Sequence, residues 1–422
     1  MSSRDAVSGS ARPLVDYNPF DPAVIVDPVD YNALLRAEAP VHRDPHTGIF
    51  QIASYETVVE AVKQPEIFSN RFAVALGGGT GAVDPEVAAI AKQGWPAVDT
   101  MLTADPPEQK RFRSLVNKAF TPRRVNDLTP KMETLCDELI DAFAVDGAVE
   151  LRSQFAVPLP LTVIAEQLGV PREDLPRFKA WSDGFVAQLG QMADHEGRIA
   201  AAKLILEFQE YFAEILEQRR KAPQDDIISD VVNADVEGER RLDTAECLSI
   251  LQQLLVAGNE TTASAITEGM RLLATHPEER VRVEADPELI PNLVEEVLRL
   301  ATPTSTMWRV VTSDTKLGGV EIPGGSIAML RFASANRDES VFAEPERFDV
   351  GRANAGDHVS FGLGIHFCLG AQLARKEMQT AFRKLLERLP NARLSEAHGE
   401  PIVAPNILLR GLTELHLEFD VD

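Results

Sequence analysis

Along this chain the apolar residues recur mostly at helical spacing, with short alternating stretches between the helices and near both ends. Met132, Leu135, Leu139, Ile140 and Phe143 form one stripe, opened by Thr129 and Pro130 as cap and first-turn residue. LTVIAEQLGVP and WSDGFVAQL continue the helical pattern, and residues 196–221 predict one long amphipathic helix. Asp243 followed by Glu246 reads as a capping box, and the near-continuous apolar run Leu248 to Ala257 predicts a helix buried on most sides, reaching residue 274. Pro291 starts another helix, and Gln372 to Leu389 is amphipathic. Strands are predicted for VHRDPHTGIFQI, a hairpin turning around Asp44 to Gly48, for VEI and IAMLRFA about the Pro323-Gly324-Gly325 turn, and for Thr413 to Phe419. SYETVVEAVKQ reads as a short helix stopped by Pro65. Residues 72–101, with GGGTG at Gly77 to Gly81, read as a long irregular loop. The sum is a helical body with a small sheet against it.

Composition narrows the class. By length alone 422 residues suggest two or three domains. Apolar residues at 44% and charged residues at 25% are those of a globular protein, not a disordered or fibrous one. No apolar run reaches the roughly 18 residues of a membrane span, and the polar start MSSRDAVSGSARP has no apolar centre like that of a secretory signal. A cytoplasmic protein with a flexible tail over residues 1–18 is expected. The net charge of -23 argues against nucleic acid or anionic membrane as main partner. Against that background Lys110, Arg111, Arg113, Lys118, Arg123 and Arg124 fall in an acid-free stretch, either a docking patch for an acidic partner or a solvated helix face. Cys136, Cys247 and Cys368 are odd in number and far apart, which suggests neither a disulfide framework nor a zinc cluster.

Two stretches carry chemistry. In FGLGIHFCLGA, Phe361 to Ala371, Cys368 sits where a glycine loop becomes a helix. First-turn N–H groups there have no internal partner and lower a thiolate's pKa. Glycines on both sides remove side chains that would keep a large flat cofactor off the backbone. The bland alternative is a small buried cysteine. The second stretch, Ala257-Gly258-Asn259-Glu260-Thr261-Thr262, puts a small pair and four polar residues in the middle of a buried helix, which costs stability unless those groups are satisfied or used. A helix in which threonine hydroxyls bond back to carbonyls one turn earlier is its bland alternative. Ile250, Leu254 and Ala257 share the face of Thr261, as pocket wall or as plain core.

The order Phe361, Gly364, His366, Cys368, Gly370 resembles the haem-binding loop of the cytochrome P-450 monooxygenases. The resemblance extends over nearly the whole chain through AGNETT, through Glu296 and Arg299 as E-x-x-R, and through Pro345-Glu346-Arg347-Phe348 as P-x-R-F. It implies one mainly α domain over residues 19–422 with a small β-rich region. It implies haem b with Cys368 as axial ligand, favouring O–O cleavage. Arg113, Arg309 and His366 would hold the propionates. Gln109 stands where many relatives carry histidine and could still donate a hydrogen bond there. Thr261 would hydrogen-bond oxygen or an adjacent water and Glu260 would help relay protons, from a helix kinked or locally opened at the small pair. Ile250, Leu254, Ala257, Gly258, Thr304, Ile407 and Leu408 are candidates for the substrate pocket, roofed by the loop around Gly77 to Gly81. Glu296, Arg299 and Arg347 would tie the core beneath the haem, and His358 is structural.

The function so implied is insertion of one oxygen atom from O2 into a C–H bond of a small to medium hydrophobic molecule, a terpenoid, steroid or aromatic. The chain would act as a monomer. Electrons would come from a separate ferredoxin and its reductase, docked near Arg111, Lys118, Arg123, Arg124 and Arg375. Rival readings are a peroxide-driven hydroxylase, a haem sensor or carrier without turnover, and a helical binding protein lacking haem.

Overall fold

The structure is a computed structural model that describes residues 12–72, 84–190, 194–234 and 240–421. Eleven of its helices position the site: α1 (Val29–Glu38), α2 (Tyr55–Val62), α3 (Pro85–Ala91), α4 (Glu108–Val116), α5 (Thr129–Asp141), α6 (Pro158–Gln167), α7 (Leu175–Gly190), α8 (His195–Lys221), α9 (Thr244–Thr275), α10 (Ile290–Ala301) and α11 (Ala371–Arg388). Helix α9 starts where its sequence says it should, with Asp243 and Glu246 each accepting from the other's backbone N–H. The loop expected over residues 72–101 contains α3, capped by Asp84 with Pro85 in the first turn. The GGGTG segment lies outside the described residues.

Short strands make the β-rich region. β1 (Val41–Arg43), β2 (Phe50–Ile52), β3 (Phe68–Ser69), β5 (Met307–Val311) and β8 (Ile327–Leu330) form a sheet in the order β1-β2-β8-β5-β3, with only β2 and β8 parallel. β4 (Ala148–Glu150) and β9 (Arg393–Leu394) flank β10 (His416–Glu418), and β6 (Thr315–Leu317) pairs with β7 (Val320–Ile322).

Two apolar cores meet along α9. Its N-terminal half, Cys247 to Leu255, packs with Phe178, Trp181, Phe185, Phe208 and Phe212 of α7 and α8. Its C-terminal half, Ala263 to Leu273, packs with α5, α10 and α11. AGNETT is the seam between them. Ile250, fully buried in the first core, is a packing residue and not part of an open pocket wall, and Leu254 is nearly as deep.

A buried ion cluster ties α10 to the chain that follows. Nε and Nη2 of Arg299 each donate to a Glu296 oxygen at 2.8 Å, and neither side chain is exposed. The third member corrects the sequence reading: it is Arg352, whose Nε lies 3.1 Å from each oxygen of Glu296, and not Arg347. Arg347 points outward to Glu344, and only its carbonyl joins the cluster, accepting from Arg299 and Arg352.

Candidate active site around Cys368

The loop before α11 is folded tightly onto itself. Gly362 and Gly364 have φ of 64° and 67°, a left-handed backbone that a side chain would strain. The loop closes through Cys368 N–H donating to the Phe361 carbonyl at 2.8 Å and Phe367 N–H to the Gly364 carbonyl. Cys368 is thereby held half-buried just before the helix. Burial pushes its thiol pKa up, while the N–H of Gly370, the cations of Arg113 and Arg375 and the N–H of Ala371 pull it down. A metal ion at the sulfur would complete the second set and leave a thiolate.

Around the thiol the chain gathers donors without acceptors. Arg309 is buried, gives one hydrogen bond to the Trp308 carbonyl, and is held down to about 10 by burial, with only Asp105 opposing. Arg113 donates to Asn117, and burial lowers it too, against the nearby Cys368. Both ring nitrogens of His366 are buried without a hydrogen-bond partner. Burial first, then Arg309, drive its pKa down to about 4, and small opposing influences from the Met101 backbone and Asp105 do not offset them. Gln109 is different from the expectation: its amide donates to the Ile365 carbonyl at 2.8 Å, so it braces the cysteine loop instead of facing outward to a carboxylate. His358 accepts from Ser360 N–H and lies 3.2 Å from Glu295, as a structural residue would.

On α9 the four polar residues of AGNETT go separate ways. The backbone stays helical through Ala257 and Gly258, so the expected local opening is absent, and the Thr261 hydroxyl bonds back to the Ala257 carbonyl at 2.7 Å. The Glu260 carboxylate is paired with Arg152, at the start of a π-helical turn over Arg152–Ala156. Asn259 is buried and donates to Ser182. Thr262 hydrogen-bonds Glu377 of α11, a carboxyl that burial pushes up to about 8. Ala257 is exposed, and a Cβ built on Gly258 would meet only Ile164, at 4.0 Å, so the helix offers a bare surface there. Thr304 bridges Leu409, while Ile407 and Leu408 pack on Trp308 and Met329.

Sequence reasoning passed over Arg152, Arg352 and Glu377. Glu377 was signalled, since it stands four residues from Leu373 and from Ala381 on the apolar face of α11. Arg152 is the one cation in an otherwise apolar and polar stretch, LRSQFAVPLPL. The expected docking patch is also largely used internally. Arg111 pairs with Glu246, Arg124 with Asp230 and Asp225, and Arg375 with Glu295, whereas Arg123 is well exposed and the Lys118 side chain lies outside the described set.

These residues suit a flat group with two carboxylates and a metal. Donors with no carboxylate partner among the described residues match the acids, an N–H-supported sulfur matches the metal, and bare glycine backbone matches the plane. Fold and site together thus define a haem-thiolate protein. Residues 193–411 match the cytochrome P450 family model. The chain belongs to the cytochrome P450 family; it is a monooxygenase and its cofactor is haem b. It is 35% identical over 385 residues to a steroid C26-monooxygenase of Mycobacterium tuberculosis, covering 91% of this chain and 98% of that one. The structure of a cytochrome P450 from Chondromyces apiculatus superposes with a TM-score of 0.85 at 36% identity, covering 97% of this chain and all of that one. A Bacillus megaterium cytochrome P450 in complex with testosterone superposes with a TM-score of 0.81 at 32% identity, covering 96% and 100%.

Proposed function

We propose that this chain hydroxylates a hydrophobic molecule of about steroid size, with electrons delivered by a separate ferredoxin and its reductase, as a monomer in the cytoplasm. The observation that carries the reading is the set of donors with no carboxylate partner among the described residues, Arg309, Arg113 and His366, gathered beside the Cys368 thiol. Haem b, when bound, supplies the iron at which O2 is reduced and one oxygen atom becomes available for a C–H bond.

The chain's own residues then have distinct tasks. Cys368 would hold the haem iron through its sulfur, the thiolate charge supported by the Gly370 and Ala371 N–H groups. Arg113, Arg309 and His366 would hold the two propionates, each charge-assisted hydrogen bond contributing about 1.5–3 kcal/mol. Thr261 donates to the Ala257 carbonyl, which leaves its oxygen lone pairs to accept from a water on the Ala257-Gly258 side. Glu260 is ion-paired with Arg152 and is placed to pass a proton inward from solvent through such a water. Ala257, Gly258, Ile407 and Leu408 are the pocket candidates still open to a substrate. That the Bacillus megaterium neighbour holds testosterone, and that the mycobacterial relative oxidises steroids, supports the size class. Among the described residues no helix is long and apolar enough to cross a membrane, which fits a cytoplasmic setting. With Arg111, Arg124 and Arg375 already paired, docking would depend on Arg123 and on shape more than on a free basic face.

The test is to load the chain with haem and offer a steroid panel with reduced ferredoxin and O2, or with peroxide alone. Ligand-induced spin-state change and hydroxylated product in the first arm are expected. Product in the peroxide arm only would replace the reading with a peroxide-driven hydroxylase; binding spectra with product in neither arm would replace it with a carrier.

A further inference from the structure

A small cavity, distinct from the Cys368 site, lies between α1, the residue that follows β8 and the turn at residues 406–410. Its lining includes Asn32, Thr306, Arg331, Asn406 and Arg410, and its volume of about 20 Å³ exceeds the roughly 10–15 Å³ that seats one water. Arg331 is buried at 5% exposure. Its Nε donates to Asn32 Oδ1, its Nη1 donates to Gln51 and Met329, and its guanidinium lies over the Tyr31 ring; Nη2 has no partner among the described residues. Arg410 donates through Nη1 to the Val26 carbonyl and otherwise has no partner among them.

In both lining amides the oxygen is the committed end. Asn32 Oδ1 is taken by Arg331, and Asn406 Oδ1 accepts from Leu408 N–H at 2.9 Å and Leu409 N–H at 3.0 Å. Those contacts fix which end of each amide is NH2, and neither NH2 has a partner among the described residues. The nearby acceptors are committed as well: the Ile407 carbonyl takes the Ser305 and Thr306 hydroxyls. Acids reach the two guanidinium groups only at a distance. Asp44 acts on Arg331, and Glu268 and Asp27 act on Arg410, none within the 4.0 Å of an ion pair. Two cations and two amide NH2 groups line one small space with no carboxylate in its lining, which favours an anion over water.

We propose that this cavity binds a small monovalent anion of chloride size, which links the 406–410 turn to the N-terminal helix through Arg331 and Arg410. The turn carries Ile407 and Leu408, so the anion also fixes one wall of the substrate side.

The test uses the haem-loaded protein and Asn406→Asp, which keeps the acceptor oxygen for Leu408 and Leu409 and replaces the NH2 with a fixed negative oxygen. Thermal unfolding is followed in sodium chloride and in sodium gluconate at equal ionic strength. Wild type should gain a saturating rise of roughly 2–4 °C in chloride over gluconate. Asn406→Asp should lose that difference and unfold at the same temperature in both salts. Crystals grown in bromide should show its anomalous signal at the cavity in wild type only. Equal unfolding temperatures for wild type in the two salts, an unchanged chloride response in Asn406→Asp, or a cavity holding water alone in bromide crystals would each overturn the proposal. If Asn406→Asp fails to fold, Arg410→Gln, whose side chain is only half-buried, replaces it with the same expected loss.

Discussion

Arginine is buried beside Glu296 and again beside Cys368, and these two sites are built in opposite ways. In the Glu296 cluster, Arg299 and Arg352 share one carboxylate and use nearby carbonyls for their remaining N–H groups. Beside Cys368, Arg309 is as deeply buried but has a single carbonyl for a partner, and His366 has none. A closed cluster needs nothing more. An open one costs folding free energy until something anionic arrives, and that difference separates structural charge from ligand-binding charge without reference to any relative.

The largest expected effect tests the closed cluster. Arg352→Ala leaves Glu296 short of one cation in a fully buried site, and removing one partner of such a group costs about 3–5 kcal/mol. Urea unfolding should show that loss with haem bound or not. A loss below about 1 kcal/mol would mean that the pair with Arg299 alone satisfies Glu296.

The open cluster should respond in the reverse sense. Arg309→Leu removes a buried cation that lacks a carboxylate, so the apoprotein should be no less stable than wild type. Haem affinity should fall about 10- to 100-fold, the equivalent of one charge-assisted hydrogen bond of about 1.5–3 kcal/mol. Apoprotein stability and haem titration read the two effects separately. If the apoprotein is destabilised as strongly as by Arg352→Ala, Arg309 belongs with the structural arginines and the contrast fails.

Glu377 shows a third way of burying a charge, which is not to carry it. Burial pushes its pKa up to about 8 despite the Thr262 hydrogen bond, so the folded chain keeps a proton that the unfolded chain gives up near pH 4.5. Between those values the folded state binds more protons, and stability falls as pH rises from about 4.5 to about 8. Relative to wild type, Glu377→Gln should remove a slope of at most about 1.4 kcal/mol per pH unit, measured by urea unfolding at pH 5 and pH 8. Identical slopes would mean that Glu377 is ionised in the folded protein.

What could be read in advance follows range. The capping box of α9, the helix from 196 to 221 and the Glu296–Arg299 pair all rest on residues three or four apart, or on a period, so the sequence shows them directly. The cysteine loop was legible because glycine and cysteine at fixed spacing report a backbone shape. The failures are long-range. Arg111, Arg124 and Arg375 looked free because Glu246, Asp230 and Glu295 lie 135, 106 and 80 residues away. Glu260 meets Arg152 across 108 residues, and no local pattern announces that a residue in a turn before α6 will face α9.

Arg347 is the sharpest case, because its motif was recognised and its part was still misassigned. In Pro345-Glu346-Arg347-Phe348 the arginine side chain extends to Glu344 with about half of each side chain or more in solvent, and such a pair contributes about 0–1 kcal/mol. Its carbonyl, by contrast, accepts from both Arg299 and Arg352 in the buried cluster. A carbonyl is supplied by any residue that keeps the turn, so the side chain should be dispensable where the backbone is not. Arg347→Ala should therefore change stability by no more than about 0.5 kcal/mol and leave haem affinity unaltered. Urea unfolding of Arg347→Ala beside Arg352→Ala puts the two assignments in one experiment. A loss of about 3 kcal/mol or more for Arg347→Ala would return the third place at Glu296 to the residue that the motif suggested.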